Sequence, residues 1–369
     1  MKIAFVSSEV FPYSKTGGLA DIAGSLTKRL SETGCTVKVF SPKYDQVDEQ
    51  KFGLKYCDDL GEMLIRIAGH IRPVHVYRSS VKTSEKDVEL YFIDCPHYFY
   101  RDRIYTNDPD EDERFILFSK AVIESLQKLQ WAPDVIHCND WHTGLIPLYI
   151  KDNYSRNRMF DNTASLFTIH NIAYQGRFDR STMSKAEIRD SLFFPGGPVE
   201  YYNDFSFLKT GIVFSDLINT VSKTYAQEIL TTEYGAGLDG VLRDRRSDLF
   251  GIINGVDYNE WNPQNDVHLP YHYSPEDLRG KLKNKKFLLQ HFSLPFYKDI
   301  PLVGIVSRLA GQKGFDIISE ASSRLMQLNV QWIILGSGEA EYEDFFLDLA
   351  KSYPEKAAVY IGFNNELSH

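Results

Sequence analysis

Ile3-Ala4-Phe5-Val6, followed by Lys15-Thr16-Gly17-Gly18-Leu19-Ala20-Asp21, sets out an element, a loop and a second element within twenty residues. The apolar run reads as a buried strand, and residues 19–30 carry helical periodicity. A strand, a glycine pair and a helix start leave backbone N–H groups pointing outward, where they favour an anion. Lys15 adds a positive charge beside them. The simplest use of such a loop is to hold the phosphates of a nucleotide or sugar nucleotide. The loop is neither G-x-x-x-x-G-K-[ST] nor G-x-G-x-x-G. A tight turn with a solvated lysine is the plainer alternative, and the loop alone leaves both open.

Outward from this stretch, short apolar runs alternate with helical periodicity. Strands are expected at 3–6, 37–40, 90–93, 135–137, 166–169, 217–221 and 249–253, and helices at 22–33, 112–129 and 145–154. This alternation implies an α/β protein with parallel sheet and helices on both faces. A second series follows the polar, aromatic, proline-containing stretch 261–270. Ser274 looks like an N-cap with Pro275 at the first helical position, and the helix is expected to reach about Phe292. Strands at 302–306, 332–335 and 358–361 then alternate with helices at 317–328 and 344–352. The expected organisation is two Rossmann-like domains, 1–260 and 261–369, the second incomplete with its three strands. Residues 364–369 read as a helix start that then stops, as in a fragment or a chain whose missing part is supplied otherwise.

With 369 residues, 43% hydrophobic and 25% charged, the chain has globular composition and length for two domains or one large one. The net charge of −9 argues against broad attraction to nucleic acid or an anionic membrane, so an anionic substrate needs a local basic pocket. Aromatic residues make up 14%, which suits stacking on sugar rings and thick apolar cores equally. The four cysteines, Cys35, Cys57, Cys95 and Cys138, have no C-x-x-C spacing and read as isolated buried thiols. No run approaches the roughly 18 apolar residues of a membrane span. With no signal or transit-like leader in view, a reduced, cytoplasmic setting is expected.

Open α/β sheets bind ligands outside the carboxyl ends of their strands. Here those ends carry Cys138-Asn139-Asp140-Trp141-His142, His170-Asn171, Asn254-Gly255-Val256-Asp257, Ser307-Arg308 with Lys313 five residues on, and Gly336-Ser337-Gly338. Each has a dull explanation alone: His170 a bonded loop histidine, Asp140 and Asn254 helix caps, Arg308 and Lys313 solvated. Their joint placement on strand ends favours a site. Arg308 and Lys313 can neutralise a diphosphate leaving group without a metal ion. Asp108-Pro109-Asp110 fits a D-x-D pattern but lies in an acidic loop and helix start, so no metal and no cofactor is expected. The aromatic loop with Tyr98, Phe99, Tyr100 and Tyr105 reads as packing of a long surface loop, with sugar stacking as the alternative.

Together these segments resemble the bacterial glycogen synthases and plant starch synthases, retaining glucosyltransferases of GT-B type. The matching motifs are Ser8-Glu9-Val10-Phe11-Pro12, Lys15-Thr16-Gly17-Gly18-Leu19-Ala20-Asp21, Asp140-Trp141-His142 and Thr168-Ile169-His170-Asn171. Tyr174-Gln175-Gly176, Ile253-Asn254-Gly255-Val256-Asp257, Ser307-Arg308-Leu309 with Gln312-Lys313-Gly314, and Gly336-Ser337-Gly338 complete them. The resemblance runs along essentially the whole chain. It implies an ADP-glucose donor, or UDP-glucose, since the base contacts are not readable, and an α-1,4-glucan acceptor extended at its non-reducing end. It further implies Lys15 with Gly17 and Gly18 on the donor diphosphate, and Arg308 and Lys313 on the leaving group. His170 would lie under the transferred glucose, its main-chain carbonyl near the anomeric carbon. Asp140 and Asn254 would surround the reacting sugar, Gly336 would belong to the donor-side turn, and Phe363 would stack on the donor base. A bacterial or a processed plastid parent fits equally.

The family pattern continues past residue 369 with a glutamate pair, E-x₇-E, that this sequence lacks. The expectation is therefore a synthase fragment of weak activity, and the competing one a non-catalytic sugar-nucleotide or glucan-binding protein. A dinucleotide oxidoreductase is disfavoured, since G-x-G-x-x-G is missing and Ser41-Pro42, not an acidic residue, ends the second strand.

Overall fold

Phe5, Val6, Val39 and Phe40 are buried because the strands that carry them have neighbours on both edges and helices over their faces. The computed structural model describes Met1–His369. The chain forms two units, Met1–Gly255 and Val256–His369.

The first unit holds a ten-stranded sheet. Its strands are β1 (Lys2–Val6), β2 (Thr36–Pro42), β3 (Lys55–Tyr56), β4 (Met63–Ile67), β5 (His70–Val81), β6 (Val88–Asp94), β7 (Val135–Asn139) and β8 (Ala164–Ile169). A small three-stranded antiparallel sheet follows, from β9 (Arg177–Phe178), β10 (Glu200–Tyr201) and β11 (Asp204–Ser206). The chain then returns to the large sheet with β12 (Leu217–Thr220) and β13 (Leu249–Gly251). The order across the large sheet is β13-β12-β8-β7-β1-β2-β6-β5-β3, with β4 on β5. From β13 to β6 every pairing is parallel, and β5 turns the edge antiparallel.

The order puts β1 at the middle. The chain first builds one way, through β2 and β6, and then restarts on the other side of β1 with β7, β8 and β12. The strand order reverses between β1 and β7, so the connections that leave their carboxyl ends diverge and open the crevice in which such sheets bind ligands. The register pairs Phe5 with His137 and Val6 with Cys138, setting the loops after β1 and β7 side by side. Cys138 pairs with Phe167 and Asn139 with Thr168, so the end of β8 joins them.

The helix Gly18–Glu32 buries Leu19, Ala20, Ala23, Gly24, Thr27 and Ser31, one face at helical spacing. It starts one residue before the expected 19–30 stretch. Gly24 lets the segment before the loop lie on the helix: a Cβ there would stand 2.8 Å from the Phe11 carbonyl oxygen. Phe11 N–H donates to Ala20 O at 3.0 Å, fixing that contact. The other helices agree closely with expectation, at Glu111–Lys128 and Leu145–Lys151.

The second unit has a three-stranded parallel sheet, β14 (Leu302–Val306), β15 (Gln331–Gly336) and β16 (Ala357–Ile361), in that order. Phe315 on the helix Phe315–Leu325 meets Phe346 on the helix Ala340–Ser352 edge to face, at 5.4 Å between centroids. Leu309 and Ile334 join them in this core.

Two expectations are corrected, and one hairpin is added. Ser274 does not cap a helix: its hydroxyl accepts from the N–H groups of Glu276 and Asp277, closing a local turn, and the helix runs Arg279–His291. The strand expected at 249–253 ends at Gly251, and Ile252 and Ile253 are exposed. The β4–β5 hairpin was not foreseen, although Met63, Ile65 and Ile67 alternate inward with Leu64 and Arg66 outward. The four cysteines, all expected to be buried thiols, are free; Cys57, Cys95 and Cys138 are buried, whereas Cys35 is only partly so.

Candidate active site

After β1 the chain runs Ser7-Ser8-Glu9, and Glu9 is only 2% exposed. Its carboxylate accepts from the Thr16 hydroxyl at 2.7 Å, the Thr16 N–H, the Gly17 N–H at 3.3 Å and the Tyr105 hydroxyl at 2.6 Å. This corrects one expectation about the loop. The Thr16 and Gly17 amides do not point outward toward a bound anion; an anion of the protein itself holds them. Gly18 begins the helix, and no side chain caps it. Lys15 leans across the loop mouth, with Nζ 2.7 Å from Asp21 and 5.1 Å above the Phe11 ring. A charge so placed has little freedom to wander.

Tyr105 reaches Glu9 from the loop ahead of the helix Glu111–Lys128. Burial, and then the Glu9 charge, hold its phenol well above the usual range, so it stays a donor. Arg114, fully buried, fixes that loop: it donates to Tyr98 O at 2.8 Å, Ile104 O at 2.9 Å and Glu111 at 2.6 Å. Tyr98 and Phe99 are buried in the core, which removes them as sugar-stacking surfaces. Asp108 and Asp110 both pair with Arg101 at 2.6 Å, in keeping with an acidic loop.

At the end of β7, Asp140 has φ 56° and ψ 178°. A non-glycine residue in that region costs on the order of 1–3 kcal/mol and persists only where its surroundings enforce it. The Asp140 N–H donates to Thr168 O at 2.9 Å, and its Oδ1 accepts from the His170 N–H at 2.8 Å and the Asn171 N–H at 3.4 Å. The carboxylate is thus the clamp on the turn after β8, not a helix cap. Burial raises its pKa to about 7, against the lowering effect of those two N–H groups. His170 lies half-buried beside it. Burial lowers the imidazole pKa to about 4, with Glu9 opposing, so the ring is neutral at neutral pH.

Trp141 and His142 follow in a single turn of 3₁₀ helix, their rings stacked at 4.0 Å. Gly176, at φ 54°, lets the Tyr174-Gln175-Gly176 segment pass against that indole, because a Cβ there would run into the Trp141 ring. Asn254 sits exposed in the loop after β13.

In the second unit the carboxyl ends of β14 and β15 are laced together. Ser307 N–H donates to Leu335 O at 3.1 Å, Leu309 N–H to Ser337 O at 3.0 Å, and Glu339 N–H to Leu309 O at 2.7 Å. Gly336 and Gly338 allow this approach, since a Cβ on either would strike the carbonyl oxygen of Ser307 or Leu309. The lacing holds up Arg308 and, past the turn Gly311–Lys313, Lys313. Both are exposed, and neither side chain is paired with a carboxylate. Gly362 N–H donates to Gly336 O at 3.0 Å, and the Phe363 ring beyond it is 70% exposed.

The structure therefore gathers Lys15, Gly17, Gly18, Asp140 and His170 at adjoining strand ends of the first unit, with Asn254 at the end of β13. Arg308, Lys313, Gly336 and Phe363 gather at the strand ends of the second. Glu9, Tyr105 and Asn139 are part of the first cluster; the sequence reading quoted Glu9 and Asn139 only inside longer motifs and Tyr105 only in an aromatic loop, and gave none of them its role here. The signal for Glu9 and Asn139 was their position one to three residues past an apolar strand; Tyr105 had none.

Polar clusters on the carboxyl ends of parallel strands, with free cations at one and a neutral histidine at the other, are those of a group-transfer enzyme acting on an anionic substrate. The family described as the starch synthase catalytic domain matches residues 2–244. A glycogen synthase of Desulforudis audaxviator is 42% identical over 99% of this chain and 73% of its own length. One from Thermosipho africanus is 41% identical over 99% of this chain and 75% of its own. The catalytic domain of starch synthase IV from Arabidopsis thaliana, bound to ADP and acarbose, superposes with a TM-score of 0.92 at 30% identity, over all of this chain and 75% of that one. The chain belongs to the glycogen synthase and starch synthase family, and its fold is of GT-B type. It is a glycosyltransferase sequence, with a nucleotide-sugar donor and a glucan acceptor. No helix is long and apolar enough to cross a membrane.

Proposed function

We propose that the protein transfers glucose from ADP-glucose to the non-reducing end of an α-1,4-glucan, with retention of configuration. The observations that carry this reading belong to each unit by itself: a neutral, clamped His170 at a strand end of the first, and exposed Arg308 and Lys313 without carboxylate partners at a strand end of the second. As the C1–O bond breaks, positive charge grows on the sugar and negative charge on the diphosphate. Arg308 and Lys313 stabilise the diphosphate, with no charge of their own to release first. His170 brings no positive charge to the sugar side, where it would oppose the developing cation.

Asp140 acts through the backbone. By accepting the His170 and Asn171 N–H groups it sets the direction of the His170 carbonyl, the oxygen nearest the anomeric carbon in this reading. Lys15 meets the phosphoryl oxygens of the donor, on a loop that Glu9 and the small Gly17 and Gly18 keep narrow. Asn254 bonds to the sugar, Gly336 keeps the donor turn close, and Phe363 stacks on the adenine. The bacterial relatives and the unpaired thiols support a cytoplasmic site of action.

The ADP moiety in the Arabidopsis neighbour favours an adenine donor. The test is transfer of labelled glucose to glycogen from ADP-glucose and UDP-glucose in parallel, with digestion of the product by an α-1,4-specific hydrolase. Label released from ADP-glucose product supports the reading. Nucleotide and glucan binding with no transfer from either donor would replace it with a binding role.

A further inference from the structure

Asn139 is 1% exposed at the end of β7, and its amide is fully committed. Nδ2 donates to Val6 O at 3.0 Å and lies 3.4 Å from His137 O. Both are carbonyl oxygens, which only accept, so the amide nitrogen must face them. That leaves Oδ1 turned the other way, 3.0 Å from Nε2 of His170. An amide oxygen only accepts, so Nε2 must carry the imidazole proton.

We propose that Asn139 is a positioning residue that locks His170 in the Nε2–H tautomer and so makes its Nδ1 a lone-pair acceptor facing the substrate side. The chain of constraint starts at the central strand: Val6 O orients Asn139, and Asn139 orients the proton on His170. Nδ1 has no hydrogen-bond partner within the protein, and the residue keeps partial exposure. A lone pair there takes a hydrogen bond from a sugar hydroxyl and repels a phosphate oxygen. This deepens the reading of His170 as a sugar-side residue and rests on it: the ring selects a hydroxyl donor, while the backbone of the same residue serves the reacting carbon. The neighbouring His137 does not compete for that role. Its Nε2 is 2.6 Å from the Thr168 hydroxyl, which passes its own proton to Asn219 Oδ1 at 2.5 Å, so the ring is consumed inside the sheet.

The test reads the tautomer directly, without substrate or turnover. Long-range ¹H–¹⁵N correlation spectra of the labelled protein near pH 7.5 distinguish Nε2–H from Nδ1–H in each histidine, with the His170 signals assigned through H170Q. The wild-type protein is expected to show His170 as Nε2–H. N139L removes the acceptor and is expected to give a mixture of tautomers. N139D, with the oxygen that meets the Val6 carbonyl protonated so that it still donates there, keeps an acceptor oxygen toward His170 and is expected to keep Nε2–H. Maltotriose, offered as the hydroxyl-bearing probe, is expected to shift Nδ1 more than Nε2, and inorganic pyrophosphate to leave Nδ1 unmoved. His170 found as Nδ1–H in the wild type overturns the proposal. An unchanged Nε2–H pattern in N139L, or its loss in N139D, also overturns it, by assigning the tautomer to packing. If N139L fails to fold, the wild type and N139D still decide. Loss of glucosyl transfer with the tautomer intact would count against the enzymatic reading alone.

Discussion

Asp140 grips His170 through the backbone rather than the ring: its Oδ1 lies 2.8 Å from the His170 nitrogen, while its own backbone stands at φ 56°. One residue thus stores conformational strain and spends its carboxylate on a neighbour's amide. D140A leaves the two N–H groups without their acceptor, which costs about 1–3 kcal/mol each when buried. We expect a clear loss in urea denaturation and, for glucosyl transfer, a fall in kcat/KM of roughly 100-fold or more. An intact rate would show that the His170 turn holds its shape unaided.

The same carboxylate predicts a pH profile. Its pKa of about 7 means that the ionised form, the stronger acceptor, gains population as pH rises through neutrality. The log of kcat/KM is expected to climb with a bend near pH 7, and D140N is expected to flatten that limb. A bend unmoved in D140N would place the titration elsewhere.

Stability has its own pH dependence, with two signs. His137, at about 3, and His170, at about 4, titrate below the unfolded value of about 6.5, chiefly through burial. The folded state therefore binds fewer protons than the unfolded one in that window, and these groups add stability as pH rises from about 4 to 6.5. His142, also lowered by burial, acts in the same direction. Asp140, raised from an unfolded value of about 3.9, acts in the opposite direction up to pH 7. The histidines outnumber it, so denaturation midpoints across pH 4.5 to 6.5 are expected to rise with pH, and more steeply in D140N.

Arg308 and Lys313 separate function from stability. Both are exposed with no carboxylate partner, so R308A and K313A are expected to shift unfolding free energy by no more than about 0.5 kcal/mol. Transfer is expected to fall by roughly 100-fold or more in each. Circular dichroism melts run beside the labelled-glucose assay decide this, and a large melting shift would expose a structural role.

Glu9 should show its effect in the loop rather than in the core. E9Q keeps the size but gives up a charged acceptor that serves the Thr16 and Gly17 amides. Hydrogen exchange at those amides is expected to quicken, and the KM for ADP-glucose to rise about 10-fold, as expected for the loss of about 1.4 kcal/mol of hydrogen bonding. Unchanged exchange would mean the glycine pair shapes the loop alone.

What could be read from the chain was what local pattern controls. The apolar run 3–6, the glycine pair and the helical periodicity of residues 19–30 gave β1, its loop and its helix, because each depends on neighbours in sequence. The family motifs pointed to Asp140, His170, Arg308 and Lys313, which sit at strand ends as read. The direction of the Thr16 and Gly17 amides was hidden, since it depends on a carboxylate seven and eight positions away that the fold buries. Tyr105 was harder still: its partner Glu9 is 96 residues distant, and only the loop held by Arg114 brings them together. Ser274 misled because the same hydroxyl chemistry that caps a helix also closes an isolated turn.

The central place of β1 has a consequence for how the molecule is made. Val6, made 133 residues ahead of Asn139, holds its side chain by a hydrogen bond. At synthesis rates of about 5–20 residues per second, that carbonyl waits on the order of ten seconds for its partner. The nascent chain can pair β1 with β2 early, but its other edge stays open until β7 emerges. For that interval an apolar strand is a half-finished sheet edge, and the machinery that shelters new chains has this segment to protect.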